Sequence, residues 1–153
     1  MTGMLTADFE DFLRLLNERQ VRYVVAGGFA IAAHGTPRYT KDLDVWVEVS
    51  PENAERLLLA LDDFGMASLG LTSADLEERD MVLQLGYEPN RIDILTGLTG
   101  VEFHEAYPRR VLLQLGELRV PFLAREDLIA NKRALGRPRD LADIEDLQAD
   151  DLE

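Results

Sequence analysis

The stretch that most constrains this chain runs from Val24 to Val49 and reads VVAGGFAIAAHGTPRYTKDLDVWVEV. An apolar strand enters a Gly27-Gly28 turn, a short helix follows, and a second strand carries Asp42 and Asp44. Carboxylates two residues apart on a strand project from one face, while Leu43, Val45 and Val47 take the other and can be buried. The glycine turn opens a helix N-terminus, whose free N–H groups favour an anion such as a phosphate. A phosphate cradle beside paired hard oxygen ligands is what a Mg²⁺–nucleotide site requires. Read without that context, Gly27-Gly28 is a plain turn and Asp42/Asp44 an exposed strand edge.

The rest of the chain supplies elements for a sheet around this stretch. Leu5, Phe9, Phe12, Leu13 and Leu16 recur at helical spacing, predicting a helix over about 6–19. Strands are expected at 22–26 and 42–49. Ser50-Pro51 pairs an N-cap with proline at the first helical position, and Gly65 closes the helix that follows. The segment 67–80 suggests a loop with one helical turn. Residues 81–85 and 91–95 form one expected hairpin, and 111–115 and 118–122 another. A weak helix at 101–107 should stop at Pro108. Two final helices, about 125–135 and 139–148, are separated by Gly136 and Pro138. Helices and hairpins interleave within one expected domain of 153 residues, of α/β (α+β) class.

Charge and cysteine usage narrow the classes. The chain carries −13 overall, and seven acidic residues with no basic one follow from Asp140, leaving −6 for residues 1–139. The acidic end, about 140–153, reads as a solvated helix face and frayed terminus. Such a chain has no general basic surface to hold DNA non-specifically, so any RNA contact should be local. There is no cysteine, hence no disulfide framework or thiolate metal site. No apolar run reaches the roughly 18 residues of a membrane span, and the start lacks a signal-peptide pattern. The expectation is a cytoplasmic protein with no membrane contact.

A third carboxylate, Asp93, lies in Arg91-Ile92-Asp93-Ile94-Leu95, on the face opposite Ile92 and Ile94. It either joins Asp42 and Asp44, if the strands are neighbours, or only pairs with Arg91. Three clustered carboxylates raise one another's pKa unless a cation neutralises them, and Mg²⁺, or Mn²⁺ in its place, suits an oxygen set. Arg38 and Lys41 flank the pair, either touching phosphate or standing as solvated loop charges. His34 ends the short helix and reads as a C-terminal dipole partner; Trp46, on the face of Asp44, walls the pocket or covers a helix. Lys132 shares a helical stripe with Leu128, Ile129 and Leu135, where its stem either snorkels or meets a partner.

Gly27-Gly28, Asp42-Leu43-Asp44 fourteen residues later and Asp93 on a further strand resemble the nucleotidyltransferase superfamily of DNA polymerase β. Within it, GGFAIAAHGTPRYTKDLD, RIDIL and DLIANKRALGRPRDLADIEDL resemble the small prokaryotic AbiEii-like nucleotidyltransferase toxins, over about residues 23–147. The resemblance implies a nucleotidyltransferase fold, a mixed sheet flanked by helices with C-terminal helices, and transfer of a nucleoside monophosphate from an NTP to a hydroxyl with release of pyrophosphate. It implies Asp42 and Asp44 as ligands of both metals, with Asp93 holding one and helping to deprotonate the acceptor. Gly27 and Gly28 would approach the triphosphate through backbone, joined by Lys41 and Arg38. Lys132 would reach the triphosphate, with Asp140 as its matching aspartate, Asp143 as rival, and Arg137 and Arg139 less directly involved. The acceptor would be tRNA or a partner protein, within a toxin–antitoxin pair. Larger members add a helical domain that grips the acceptor, whereas two short helices end this sheet. The competing readings are a nucleotide-binding regulatory module without turnover and an antitoxin-like interaction partner.

Overall fold

A computed structural model describes residues 5–35, 40–87 and 90–149. The elements in order are α1 (Ala7–Glu18), β1 (Tyr23–Ala26), α2 (Gly27–Ala33), β2 (Leu43–Val47) and α3 (Pro51–Asp63). They continue as β3 (Val82–Leu85), β4 (Ile92–Leu95), α4 (Phe103–Ala106), β5 (Val111–Leu115), β6 (Leu118–Phe122), α5 (Arg125–Leu135) and α6 (Pro138–Ala149). The six strands form one mixed sheet in the order β3-β4-β2-β1-β6-β5. This is the α/β architecture the sequence predicts, and its expected hairpins are β3–β4 and β5–β6.

Helix boundaries follow the capping chemistry. The Thr6 hydroxyl accepts from the Phe9 N–H at 3.2 Å, and Ser50 caps α3 through Asn53 N–H at 3.1 Å, with Pro51 next in place. Two expectations shift. Gly27 and Gly28 form the first turn of α2 itself instead of a turn before it. Pro108 does not end the α4 region; it sits in the first turn of a 3₁₀ continuation, Tyr107–Arg109, where a missing N–H is harmless. The segment after α3 holds two short 3₁₀ turns, Ala67–Leu69 and Asp75–Glu77.

The core is apolar and continuous. Phe9, Phe12, Leu13 and Leu16 of α1 are buried with Val24, Val25, Leu43, Val45, Val47, Leu57 and Leu61. Phe9 meets Phe29 edge-on at 5.6 Å, locking α2 against α1. Trp46 is buried and packs edge-on against Phe103 at 5.1 Å, so it covers α4, the second of the two roles open to it. His34 caps α2, and its Nε2 lies 2.8 Å from the Leu123 carbonyl.

Buried Asn53 ties three segments together. Its Oδ1 accepts from Arg22 N–H at 2.7 Å, and its Nδ2 donates to the Arg22 and Glu48 carbonyls at 3.1 and 2.8 Å. That fixes the start of β1 beside the exit of β2 and the first turn of α3. No helix among the described residues is long and apolar enough to cross a membrane.

Candidate active site

Strand pairing gathers the sequence candidates at one end of the sheet. β1 and β2 run antiparallel, so Ala26, just before Gly27, lies opposite Asp44. β2 and β4 run parallel, with Asp44 level with Asp93. Asp42 precedes β2 by one residue and shares the Asp44 face by alternation.

Gly27 is the tightest point. Its φ is +63°, and a Cβ built there would collide with the Asp44 carboxylate. Both facts demand glycine: the left-handed backbone is cheap only without a Cβ, and no space exists for one. The first turn of α2 receives no side-chain cap from Ala26. Its N–H groups therefore stand beside Asp44 without an internal acceptor side chain, as an anion cradle needs. Gly27→Ala should destabilise the fold by about 2–4 kcal/mol through strain and the displaced carboxylate. Urea denaturation at neutral pH checks this, and an unchanged midpoint would show that Asp44 yields freely.

The electrostatics are those of a crowded acidic site. Burial, then the neighbouring Asp93 and Asp42 carboxylates, push the Asp44 pKa up to about 7, against the opposing pull of Arg91 and Lys132. Arg91 is the residue that sequence reading underrated. Its Nη2 donates to Asp42 Oδ2 at 2.9 Å and to Asp93 Oδ2 at 3.2 Å, and its Nε stands 3.1 Å from Asp93 Oδ1. The sequence signal for the Asp93 half is their i, i+2 spacing; the reach to Asp42 depends on β4 lying beside β2. Asp93 thus does both things left open for it, pairing with Arg91 and standing beside Asp44.

Among the described residues no three acidic or histidine side chains form a ready-made metal cage. Instead the Arg91 guanidinium spans Asp42 and Asp93 and supplies part of the neutralisation. The donor set nevertheless fits a hard cation in kind. Asp42 Oδ1 is buried and receives no hydrogen bond among the described residues, and a hard cation would satisfy such an oxygen.

Lys132 enters from α5, close enough to lower the Asp44 pKa, which places the C-terminal helices by the carboxylate site. Its side chain is 13% exposed, and Nζ lies 3.5 Å from Asp140 Oδ1 and 3.3 Å from Asp143 Oδ2 on α6. The two rival aspartates therefore share it. Asp140 is fully buried, and Arg137 donates to it through Nε at 2.6 Å and Nη2 at 3.2 Å. Those bonds hold the Asp140 pKa down to about 2. The expected solvated acidic face is therefore corrected at Asp140 and Asp143, which are buried because cations on α5 and the α5–α6 turn meet them; residues 150–153 lie outside the described residues. The stripe of α5 is also rotated: Asp127, Leu128 and Asn131 are buried, and Leu135 is exposed. Arg139 and Lys41 are exposed, with Lys41 just ahead of Asp42, and Arg38 lies outside the described residues.

A nucleotidyltransferase-like fold is what this sheet and its flanking helices define, and comparison with known proteins agrees. Residues 4–151 match the family model described as "Nucleotidyltransferase of unknown function (DUF6036)". The chain belongs to that family. Its fold is similar to a provisionally assigned nucleotidyltransferase from Thermotoga maritima, with a TM-score of 0.55 and 15% identity over 94% of this chain and 86% of that one. It is also similar to an antigenic nucleotidyltransferase-like protein from Paracoccidioides brasiliensis, with a TM-score of 0.51 and 14% identity over 90% of this chain and 72% of that one. No curated protein matches the chain.

Proposed function

We propose that the protein transfers a nucleoside monophosphate from an NTP to a hydroxyl of a macromolecular acceptor, tRNA or a protein, with release of pyrophosphate. The observation that carries this reading is the convergence of Gly27, Asp44 and Asp93 at one sheet end, with Lys132 close by. Asp42, Asp44 and Asp93 would hold Mg²⁺ or Mn²⁺, which would neutralise the phosphates and clamp the attacking and leaving oxygens. Gly27 and Gly28 admit the triphosphate along the backbone at the start of α2. Asp93, 10% exposed and level with Asp44, is positioned to accept the acceptor hydroxyl's proton. Lys132 offsets charge on the departing pyrophosphate, held in line by Asp140 and Asp143. Lys41 and Arg38 serve the phosphates from the loop before Asp42.

Loading of the site would exchange the Arg91 contacts to Asp42 and Asp93 for a cation. The same contacts favour a second reading, a nucleotide-binding regulatory module without turnover, in which Arg91 keeps the carboxylates. The AbiEii-like resemblance adds a place in a toxin–antitoxin pair with a cognate protein partner. Incubation with labelled NTPs, Mg²⁺, total RNA and lysate separates these. Label on RNA or protein, lost in Asp42→Ala, is the expected result. Nucleotide binding without transfer would establish the module, and neither binding nor transfer would leave the interaction role.

A further inference from the structure

We infer that an arginine-lined groove at the sheet end opposite Gly27 binds the sugar–phosphate backbone of a single-stranded nucleic acid, and so holds the acceptor strand. The acceptor role rests on the transfer reading above; the binding does not. The groove encloses about 520 Å³, and Arg22, Arg56, Arg110, Arg119, Tyr23 and Tyr107 are among its lining residues. None of the lining residues is acidic. Four of the sixteen basic residues of a chain carrying −13 therefore gather in one place. The charge does not arise by chance of a generally basic surface; it is local, against the sign of the molecule.

The fold forces these charges together. β1 and β6 pair in parallel with Val25 level with Phe122, which brings Arg22, just ahead of β1, and Arg119, on β6, to the same groove. Like charges gathered in one groove repel, so the arrangement asks for an anion. Glu48 meets Arg22 at 3.3 Å, which answers one of the four charges from outside the groove lining. Arg56 donates to the Gln20 carbonyl at 3.4 Å, and Arg110 to the Tyr107 carbonyl at 2.9 Å; both keep their charge uncompensated by these neutral acceptors. The Arg119 guanidinium makes no hydrogen bond or ion pair with another described residue and is exposed.

The planar groups select a nucleic acid over other polyanions. The Arg110 guanidinium lies 3.9 Å over the Tyr107 ring, which itself stacks on Phe103 at 5.2 Å and 20°. A guanidinium held over an aromatic ring beside the groove offers planar groups on which an unpaired base can stack. Arg22 and Gly27 stand at opposite ends of β1, roughly 16 Å apart at about 3.3 Å per residue. A strand anchored in the groove can therefore lead its terminus round the sheet toward Asp44 and Asp93.

Fluorescence anisotropy of the whole protein with labelled 12-mer RNA and DNA of one sequence, without nucleotide or divalent cation, tests the groove. Saturable binding is expected, with a log–log salt slope near −3 for about four phosphate contacts. Arg119→Glu should weaken it at least tenfold, and Arg119→Ala should flatten the slope by about 0.7, with melting temperature unchanged. Arg56→Ala should weaken binding independently. A preference between the two oligomers names RNA or DNA as the source of the strand. No saturable binding at low salt, binding indifferent to Arg119 and Arg56, or equal competition by poly-glutamate would each overturn the proposal. Because binding is read without NTP, loss of transfer with binding intact removes only the enzymatic reading, and loss of binding with transfer intact removes only this one.

Discussion

Asp44→Asn should abolish nucleotidyl transfer and yet yield a more stable protein at neutral pH. On the proposed transfer reading, the activity loss follows from removing the carboxylate beside Gly27 and level with Asp93, which would serve as a shared metal ligand. Losing one such ligand is expected to reduce transfer by roughly a thousandfold or more, several kcal/mol of charge stabilisation. The stability gain follows from linkage. The unfolded chain releases the Asp44 proton near 3.8, whereas the folded protein, through burial and then Asp93 and Asp42, keeps it until about pH 7. Between those values the unfolded state binds fewer protons, so stability falls as pH rises. Three pKa units amount to about 4 kcal/mol at most. Asp140 acts with the opposite sign: Arg137 holds its folded pKa near 2, below 3.8, so its contribution is complete above about pH 4 and lost as pH falls toward 2. In the absence of divalent cation, stability should therefore peak near pH 4–5 and decline toward pH 7. Asp44→Asn should flatten that decline and leave the acid limb intact. Urea denaturation from pH 3 to 8 with chelator checks both limbs. A wild-type profile flat from pH 4 to 7 would mean that Asp44 ionises easily and the carboxylates are not crowded.

The site was readable in the sequence where it depends on local periodicity. Alternation separates Asp42, Asp44 and Asp93 from Leu43, Ile92 and Ile94, and in the sheet Asp44 stands level with Asp93 while Leu43 stands level with Ile92. The Ser50-Pro51 signal gave the start of α3 because capping needs only adjacent residues. Features that depend on long-range pairing were not readable. Arg91 reaches Asp42 across 49 residues only because β4 inserts beside β2, and no local pattern encodes that strand order. Asp140 and Asp143 carry the composition of a solvated tail, but burial follows from α6 folding back on α5 so that Lys132 and Arg137 meet them. The same long-range logic assembles Arg22 and Arg119, nearly a hundred residues apart in sequence, in one groove.

Lys132 joins a structural role to the catalytic one proposed for it, and its substitution should be costly in both. A lysine 13% exposed between two buried carboxylates is part of the joint between α5 and α6. Removing one partner of a buried ion pair typically costs about 3–5 kcal/mol, because the carboxylates it faced lose part of their compensation while staying out of water. Lys132→Ala should therefore lower the melting temperature by roughly 6–20 °C for a chain of this size. The sequence sets Asp140 and Asp143 beside Lys132 as rivals, but not their burial, and burial is what makes the variant costly to the fold. Arg137 still serves Asp140, and Asp143 loses its 3.3 Å contact with Nζ. The double variant Lys132→Met with Asp143→Asn removes one carboxylate together with that cation and should recover part of the lost stability. Its NTP binding and transfer should stay low, by about a hundredfold or more, since no ammonium is left to meet the triphosphate. Calorimetric melting and NTP titration of wild type, single and double variants form the comparison. If transfer returns together with stability in the double variant, Lys132 only braces α5 against α6, and the pyrophosphate must be stabilised by other groups.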